Sequence, residues 1–267
     1  MKMKYPDFDE LTIKEIKDYT KDLETDDSLI ELANILSEDE RKGVKRIAKK
    51  LKNKLAKKEA VIAKWVNMNS LQEKLESNGY QAVIGIDEAG RGPLAGPVVA
   101  AAVLLDSTKP IYGLDDSKKL SREKREKLLE EIKKKAKVGI GQASSKEIDK
   151  YNIREATFAA MKRAVKNLLP QLEEKPDLLL VDGNTVIPDL KIDQKAVIDG
   201  DAKINSIAAA SIAAKVSRDQ IIFEYAEEYP EYNFKSNKGY GTAEHIAALE
   251  EHGSSPIHRK SFGRVPK

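Results

Sequence analysis

The sequence predicts an α/β domain, a mixed sheet covered by helices, preceded by a small, highly charged helical extension. Three observations carry this prediction. After about residue 80, short apolar runs of strand character alternate with longer stretches of helical period. Before about residue 70 there are almost only helix formers and charges. Between the two, Asn78-Gly79 is a turn signal. A chain of 267 residues is long enough for one or two domains with a sizeable core. We therefore read an extension over 1–75 and a second domain over 81–267.

The extension is divided by charge. Residues 1–40 carry thirteen Asp/Glu against five Lys/Arg, whereas 41–64 carry eleven Lys/Arg and one acid, Glu59. Within the basic block the apolar residues Val44, Ile47, Ala48, Leu51, Leu55, Ile62 and Trp65 fall near a 3.6 period. This spacing predicts an amphipathic helix over 41–64 with a basic outer face. That face either pairs with the acidic segment before it or tracks the phosphates of a nucleic acid, and the segment alone leaves both readings open.

Strands are expected over 83–86 and 97–105, and a helix over 121–137 with Ser121 as its N-cap and lysines in its last turns, where the helix dipole favours cations. A strand follows over 138–143, then an amphipathic helix over 153–169 ended by Pro170. The apolar run 178–181, flanked by Pro176 and Gly183, has the pattern of a buried strand. Another strand is expected over 195–198. A long helix over 204–228 follows, whose early alanines (Ala208, Ala209, Ala210, Ala213, Ala214) allow close packing.

Composition excludes several classes. There is no cysteine, so no disulfide framework and no cysteine metal site, which fits a reducing, cytoplasmic setting. The longest apolar run, 98–105, is far short of the ~20 residues that cross a bilayer. The N-terminus, Met1-Lys2-Met3-Lys4-Tyr5-Pro6, has no apolar stretch behind its charges, so no signal peptide is expected there. The net charge of +3 is too small to argue for any partner.

Three acid groups stand at or just past buried strand ends: Asp87-Glu88, Asp182, and Asp199-Gly200-Asp201. The crevice beyond strand carboxyl ends is the usual ligand site of an open α/β sheet. Ionised acids there are costly to desolvate without a neutralising charge. With His245, His252 and His258 all late in the chain, oxygen ligation of Mg²⁺ or Mn²⁺ suits these acids better than zinc. Each acid alone could equally cap a turn, as Asp182-Gly183 would. The stretch from Gly85 to Pro93 is neither a P-loop nor a dinucleotide motif. Its Gly90 and Gly92 let a ligand approach the backbone, and Arg91 between them can meet a phosphate. A plain tight turn with an exposed arginine has the same spacing.

These residues also carry a resemblance. Val83-Ile84-Gly85-Ile86-Asp87-Glu88-Ala89-Gly90-Arg91-Gly92-Pro93-Leu94-Ala95-Gly96-Pro97-Val98 resembles the opening signature of bacterial ribonuclease HII. The likeness continues in order through Leu114-Asp115-Asp116-Ser117-Lys118-Lys119-Leu120, Leu180-Val181-Asp182-Gly183, Gly200-Asp201-Ala202-Lys203, and the segment 206–219. It ends with Lys238-Gly239-Tyr240-Gly241-Thr242, Glu244-His245 and His258-Arg259-Lys260-Ser261-Phe262. It covers about 81–267, and the first seventy or so residues resemble, more weakly, a helical extension of some Gram-positive members.

The resemblance implies an RNase H-like fold, cleavage of the RNA strand of RNA–DNA hybrids, and incision 5′ of single ribonucleotides in DNA, leaving a 3′-hydroxyl and a 5′-phosphate. It implies Asp87, Glu88 and Asp182 as metal ligands, Asp201 as the fourth active-site carboxylate, and two Mg²⁺ or Mn²⁺ ions. Gly90-Arg91-Gly92 matches the element that reads the ribose 2′-OH, an element that ribonuclease HIII lacks, and Tyr240 matches the tyrosine packed on the following deoxyribose. Lys118, Lys119 and Arg91 are candidate phosphate contacts. His245 and His258 receive no role and are read as structural. The expected partners are RNA–DNA hybrid and ribonucleotide-containing DNA, with no membrane, and the chain is expected to be a monomer. The competing readings are another metal nuclease of the same fold, indifferent to a lone ribonucleotide, and a hybrid-binding module that has lost an acid; all four acids are present.

Overall fold

A computed structural model describes residues 5–21 and 25–266. The first four residues, on which the signal-peptide reading partly rests, and Asp22 and Glu24 of the acidic segment lie outside the described residues. The chain divides into two compact units, Met1–Lys64 and Trp65–Lys267. Among the described residues no helix is long and apolar enough to cross a membrane.

In the first unit, helices α1 (Ile13–Tyr19) and α2 (Asp26–Glu38) precede the start of α3 (Lys42–Ser77). Thr12 closes a capping box with Glu15, and Thr25 accepts from the Ser28 N–H, so both short helices begin with their orphan donors satisfied. Leu29, Leu32, Ala33 and Leu36 make the buried stripe of α2 and pack with Val44, Ile47, Ala48, Leu51 and Leu55 of α3. The opposite face of α3 exposes Lys45, Arg46, Lys49, Lys50, Lys52, Lys54 and Lys57. Lys58 bridges to Asp26 at 2.5 Å. The helix expected over 41–64 runs on to Ser77, because the apolar period continues through Trp65, Met68, Leu71 and Leu75.

The second unit is built on strands β1 (Val83–Ala89), β2 (Val98–Leu105), β3 (Ala136–Ala143), β4 (Leu178–Asp182) and β5 (Gln194–Val197), ordered β3-β2-β1-β4-β5. β1 is antiparallel to β2 and parallel to β4, so the sheet is mixed, as the sequence predicts. The helices are α4 (Arg122–Lys135), α5 (Ser145–Leu168), α6 (Gly200–Lys203), α7 (Asn205–Glu228), α8 (Phe234–Asn237) and α9 (Ala243–His252). Ser121 caps α4 as expected, accepting from the Lys124 N–H, but residues 136–137 belong to β3 rather than to this helix. The helix expected from 153 starts at Ser145, where Ser144 and Glu147 form a capping box, and is broken at Asn152, whose φ is 70°. β1 extends three residues beyond expectation through pairing with β2, Asp87↔Ala101 to Ala89↔Val99.

Alternation along the strands loads both faces of the sheet. Ile84, Ile86, Ala100, Ala102, Leu179 and Val181 face α5, while Ala101, Val103 and Leu105 pack with α4 and the alanine-rich start of α7. The contact of α7 with β1 needs Gly85: a Cβ there would lie 2.2 Å from the Ser206 carbonyl carbon, so any other residue would push α7 off the sheet.

Candidate active site

Strand register brings the first two acids together. Ile86↔Val181 is the last parallel couple of β1 and β4, so Asp87 and Asp182 follow at neighbouring carboxyl ends. Side chains alternate, which turns Asp87 toward α7, where Ser211 lines the same cavity, and Glu88 toward α5. Asp201 enters from α6, whose Gly200 N–H donates to Asp182 Oδ1 at 2.7 Å. Asp87, Glu88, Asp182 and Asp201 line one cavity of about 270 Å³, together with Gly90, Arg91, Gly92, Lys118 and Tyr240. Lys119 is exposed and does not line it, although its neighbour Lys118 does.

The acids strain against one another. Burial, and then the charges of Glu88 and Asp182, hold the Asp87 carboxyl well above the usual carboxylate range. Burial also raises Glu88, against the Arg91 guanidinium 3.3 Å away. Asp201 is pushed up to about 6, by burial first and then by Asp116. Asp87 Oδ1 is turned onto the Glu88 N–H at 2.6 Å. Among the described residues no three His, Asp or Glu side chains are gathered tightly enough to hold an ion as they stand. The donor set still fits a hard divalent cation: four carboxylates converge on one cavity, and their mutual repulsion is what such an ion relieves.

The stretch from Gly90 to Pro97 is held by two buried arginines that the sequence did not mark as functional. Arg259 donates to the carbonyls of Gly90 (2.6 Å), Arg91 (2.9 Å) and Gly96 (3.0 Å). Arg218 donates to those of Ala95, Pro97 and Lys238, each at 3.1 Å. Both guanidinium pKa values are lowered chiefly by burial, Arg259 to about 9. Gly90 has φ of 95°, and a Cβ on it would sit 2.1 Å from Arg218 Nε. Lys215 and Ser211 of α7 also line the cavity, and Lys215 pairs with Asp219 at 2.8 Å. The sequence signal for this face was α7's place in the quoted segment 206–219, without a residue singled out.

Tyr240 is 46% exposed over the cavity, next to Gly92, and its backbone is fixed by the two histidines left without a role. The Ser255 N–H donates to His258 Nδ1 (2.9 Å), which places the His258 proton on Nε2, from which it is donated to His245 Nε2 (2.9 Å). His245 then carries its proton on Nδ1 and donates to the Tyr240 carbonyl (2.9 Å). This one-way relay requires both rings neutral. Burial, and then His245, push His258 down to about 4 from its ordinary 6.5. A histidine depressed in the fold contributes stability that is present above pH 6.5 and lost as pH falls toward 4. His258 by itself is expected to withdraw about 3 kcal/mol across that window, opposite in sign to the contribution of the raised carboxyls Asp87, Glu88 and Asp201. Thermal unfolding of the parent and of His258→Gln at a series of pH values checks this, and an identical pH dependence of the two between pH 7 and pH 4 would contradict it.

Two family profiles match the chain: Ribonuclease HII over residues 84–265, and Ribonuclease HII N-terminal domain over 12–76. The chain is 47% identical over 252 residues to the ribonuclease HII of Clostridioides difficile (strain 630), covering 94% of this chain and 96% of that one. It is 45% identical over 258 residues to the ribonuclease HII of Bacillus subtilis (strain 168), covering 96% and 97%. Among solved structures, the ribonuclease H2 of Pyrococcus horikoshii OT3 superimposes with a TM-score of 0.57 at 30% identity, covering 68% of this chain and 94% of that one.

Proposed function

Because the chain belongs to the ribonuclease HII family and is therefore a ribonuclease H acting on RNA paired with DNA, we propose that it also incises duplex DNA on the 5′ side of a single embedded ribonucleotide. The products would be a 3′-hydroxyl and a 5′-phosphate. One observation carries this reading: the Gly90-Arg91-Gly92 backbone and Tyr240 line the same cavity as the four carboxylates, so a sugar reader and a hydrolytic centre share one chamber.

Asp87, Glu88, Asp182 and Asp201 would hold two Mn²⁺ or Mg²⁺ ions, which supply an activated water and stabilise the leaving 3′-oxygen when bound. The chain's own residues do the rest. Close backbone approach at Gly90 and Gly92 lets main-chain groups meet the 2′-OH, the group that separates RNA from DNA at that sugar. Arg259 fixes the Gly90 and Arg91 carbonyls and Arg218 those of Ala95 and Pro97 just after them, so the reader is rigid before substrate arrives. Arg91 and Lys118 are positioned for phosphates, and Lys119 would act from outside the cavity. Tyr240 lies where the deoxyribose after the ribonucleotide would pass.

Residues 1–75 are read as a helical extension whose exposed lysines add phosphate contacts, and 81–267 as the catalytic domain; the two family matches support this division. We place the enzyme in the cytoplasm as a monomer. The test is Tyr240→Ala. It is expected to lower kcat/KM on a single-ribonucleotide duplex about tenfold or more, and on a long RNA–DNA hybrid by a much smaller factor, because an all-RNA strand offers no deoxyribose at that place. Equal losses on both substrates would overturn this placement of the tyrosine.

A further inference from the structure

A second cavity, of about 320 Å³, meets the first at Glu88, Arg91 and Asp182 and opens on the α5 side of the sheet. Its far wall is Arg154, Phe158 and Met161 from α5, and its rim is Asn184 and Thr185 beyond β4. The break at Asn152 makes this wall. The Asn152 side chain accepts from the backbone N–H groups of Arg154 (2.9 Å) and Glu155 (3.2 Å), starting a fresh helical segment whose first turn presents Arg154. The guanidinium lies 5.6 Å from the centroid of the Phe158 ring, and Arg154 makes no ion pair among the described residues. Thr185 donates to Asn184 Oδ1 at 3.0 Å, and Asn184 is exposed at the rim. The chamber is at the small end of the range for ligand pockets, with Arg91 where it meets the first cavity, Arg154 on the far side, the Asn184 amide at the rim and Phe158 and Met161 as apolar wall, which is the chemistry of a single nucleotide unit.

We propose that this cavity is the subsite for the nucleotide 5′ of the scissile phosphate, and that Arg154 binds that nucleotide's own phosphate on the cleaved strand. The inference rests on the reading above, in which the ribonucleotide and the deoxyribose after it occupy the Gly90, Gly92 and Tyr240 side. A strand that places its scissile phosphate over Asp87, Glu88 and Asp182 then leaves, in the 5′ direction, through this second cavity, which adjoins the first at Glu88, Arg91 and Asp182. Arg91, which borders both chambers, would sit at the crossing, and Arg154 would take the next phosphate. Arg154 is thus a positioning residue for an incision reaction, contributing to binding rather than to chemistry.

The test uses the full-length chain, a duplex with one ribonucleotide, and two copies of that duplex carrying a neutral methylphosphonate. One copy replaces the first phosphate 5′ of the scissile one, the other the phosphate facing it on the unbroken strand. Arg154→Ala is expected to raise KM about five- to tenfold with kcat within about twofold, the signature of lost uniform binding. Arg154→Lys should recover part of the loss as a point charge. The upstream methylphosphonate should impair the unaltered enzyme by a similar factor and add nothing further to Arg154→Ala, since both remove one contact. An unchanged KM in Arg154→Ala, additive losses with the upstream methylphosphonate, or non-additivity with the opposite-strand one instead would each overturn the assignment while incision by the unaltered chain continues. Absence of incision beside the ribonucleotide by the unaltered chain would overturn the function reading and this inference with it.

Discussion

Asp87→Asn is expected to reduce cleavage by about a thousandfold or more while leaving hybrid binding within a few-fold. The substitution keeps the shape and keeps an oxygen to accept the Glu88 N–H, but removes the charge at the centre of the four-acid cavity. The same change should leave the metal-free protein as stable as before, or more so. Asp87 is 5% exposed, and burial together with Glu88 and Asp182 disfavours its ionised form, so the fold loses stability as pH rises above the unfolded carboxyl pKa, a loss the amide does not suffer. Single-turnover cleavage, a binding titration and thermal unfolding at pH 7 read the three quantities. A kcat within about threefold of the parent would remove Asp87 from the chemistry.

Gly90→Ala is expected to cost about 3–5 kcal/mol of stability and to abolish junction recognition with it. The new methyl would stand 2.1 Å from Arg218 Nε, 2.3 Å from its Cδ and 2.9 Å from the Pro97 carbonyl oxygen, on a backbone with φ of 95°. An exposed arginine would swing aside. Arg218 is 1% exposed and holds three carbonyls, so yielding to the methyl strands a buried cation and three acceptors. A melting temperature lowered by about 10 °C is the expected reading. An unchanged melting temperature would mean that Arg218 is not fixed where its hydrogen bonds place it.

The acids were legible in the sequence because strand ends announce themselves: an apolar run stops and a carboxylate follows, as at Val181-Asp182. That Asp87 and Asp182 are neighbours was implied by the resemblance alone and not by the residue pattern, since it depends on β1 and β4 pairing in parallel across a long separation. Arg218 and Arg259 were invisible as functional residues for a related reason. Their partners are backbone carbonyls between Gly90 and Pro97, together with that of Lys238, and a carbonyl leaves no trace in residue type. The break at Asn152 was hidden by helix formers on both sides, whereas the Ser144-to-Glu147 capping box that starts α5 was available and would have moved that helix's start to its true place. The histidine relay needed geometry too: His245 and His258 are thirteen residues apart with Ser255 between, a spacing that suggests no contact in advance.

In the function proposed above, one chamber both reads a 2′-hydroxyl and hydrolyses the phosphate beside it. The most direct measurement is mapping the cut made in a DNA duplex carrying a single ribonucleotide, beside an all-DNA duplex of the same sequence, with Mn²⁺ or Mg²⁺ supplied. The account predicts one incision, 5′ of the ribonucleotide, with a 3′-hydroxyl end and no cleavage of the all-DNA control. Cuts scattered without regard to the ribonucleotide, or an intact single-ribonucleotide duplex under conditions where a long RNA–DNA hybrid is degraded, would contradict it.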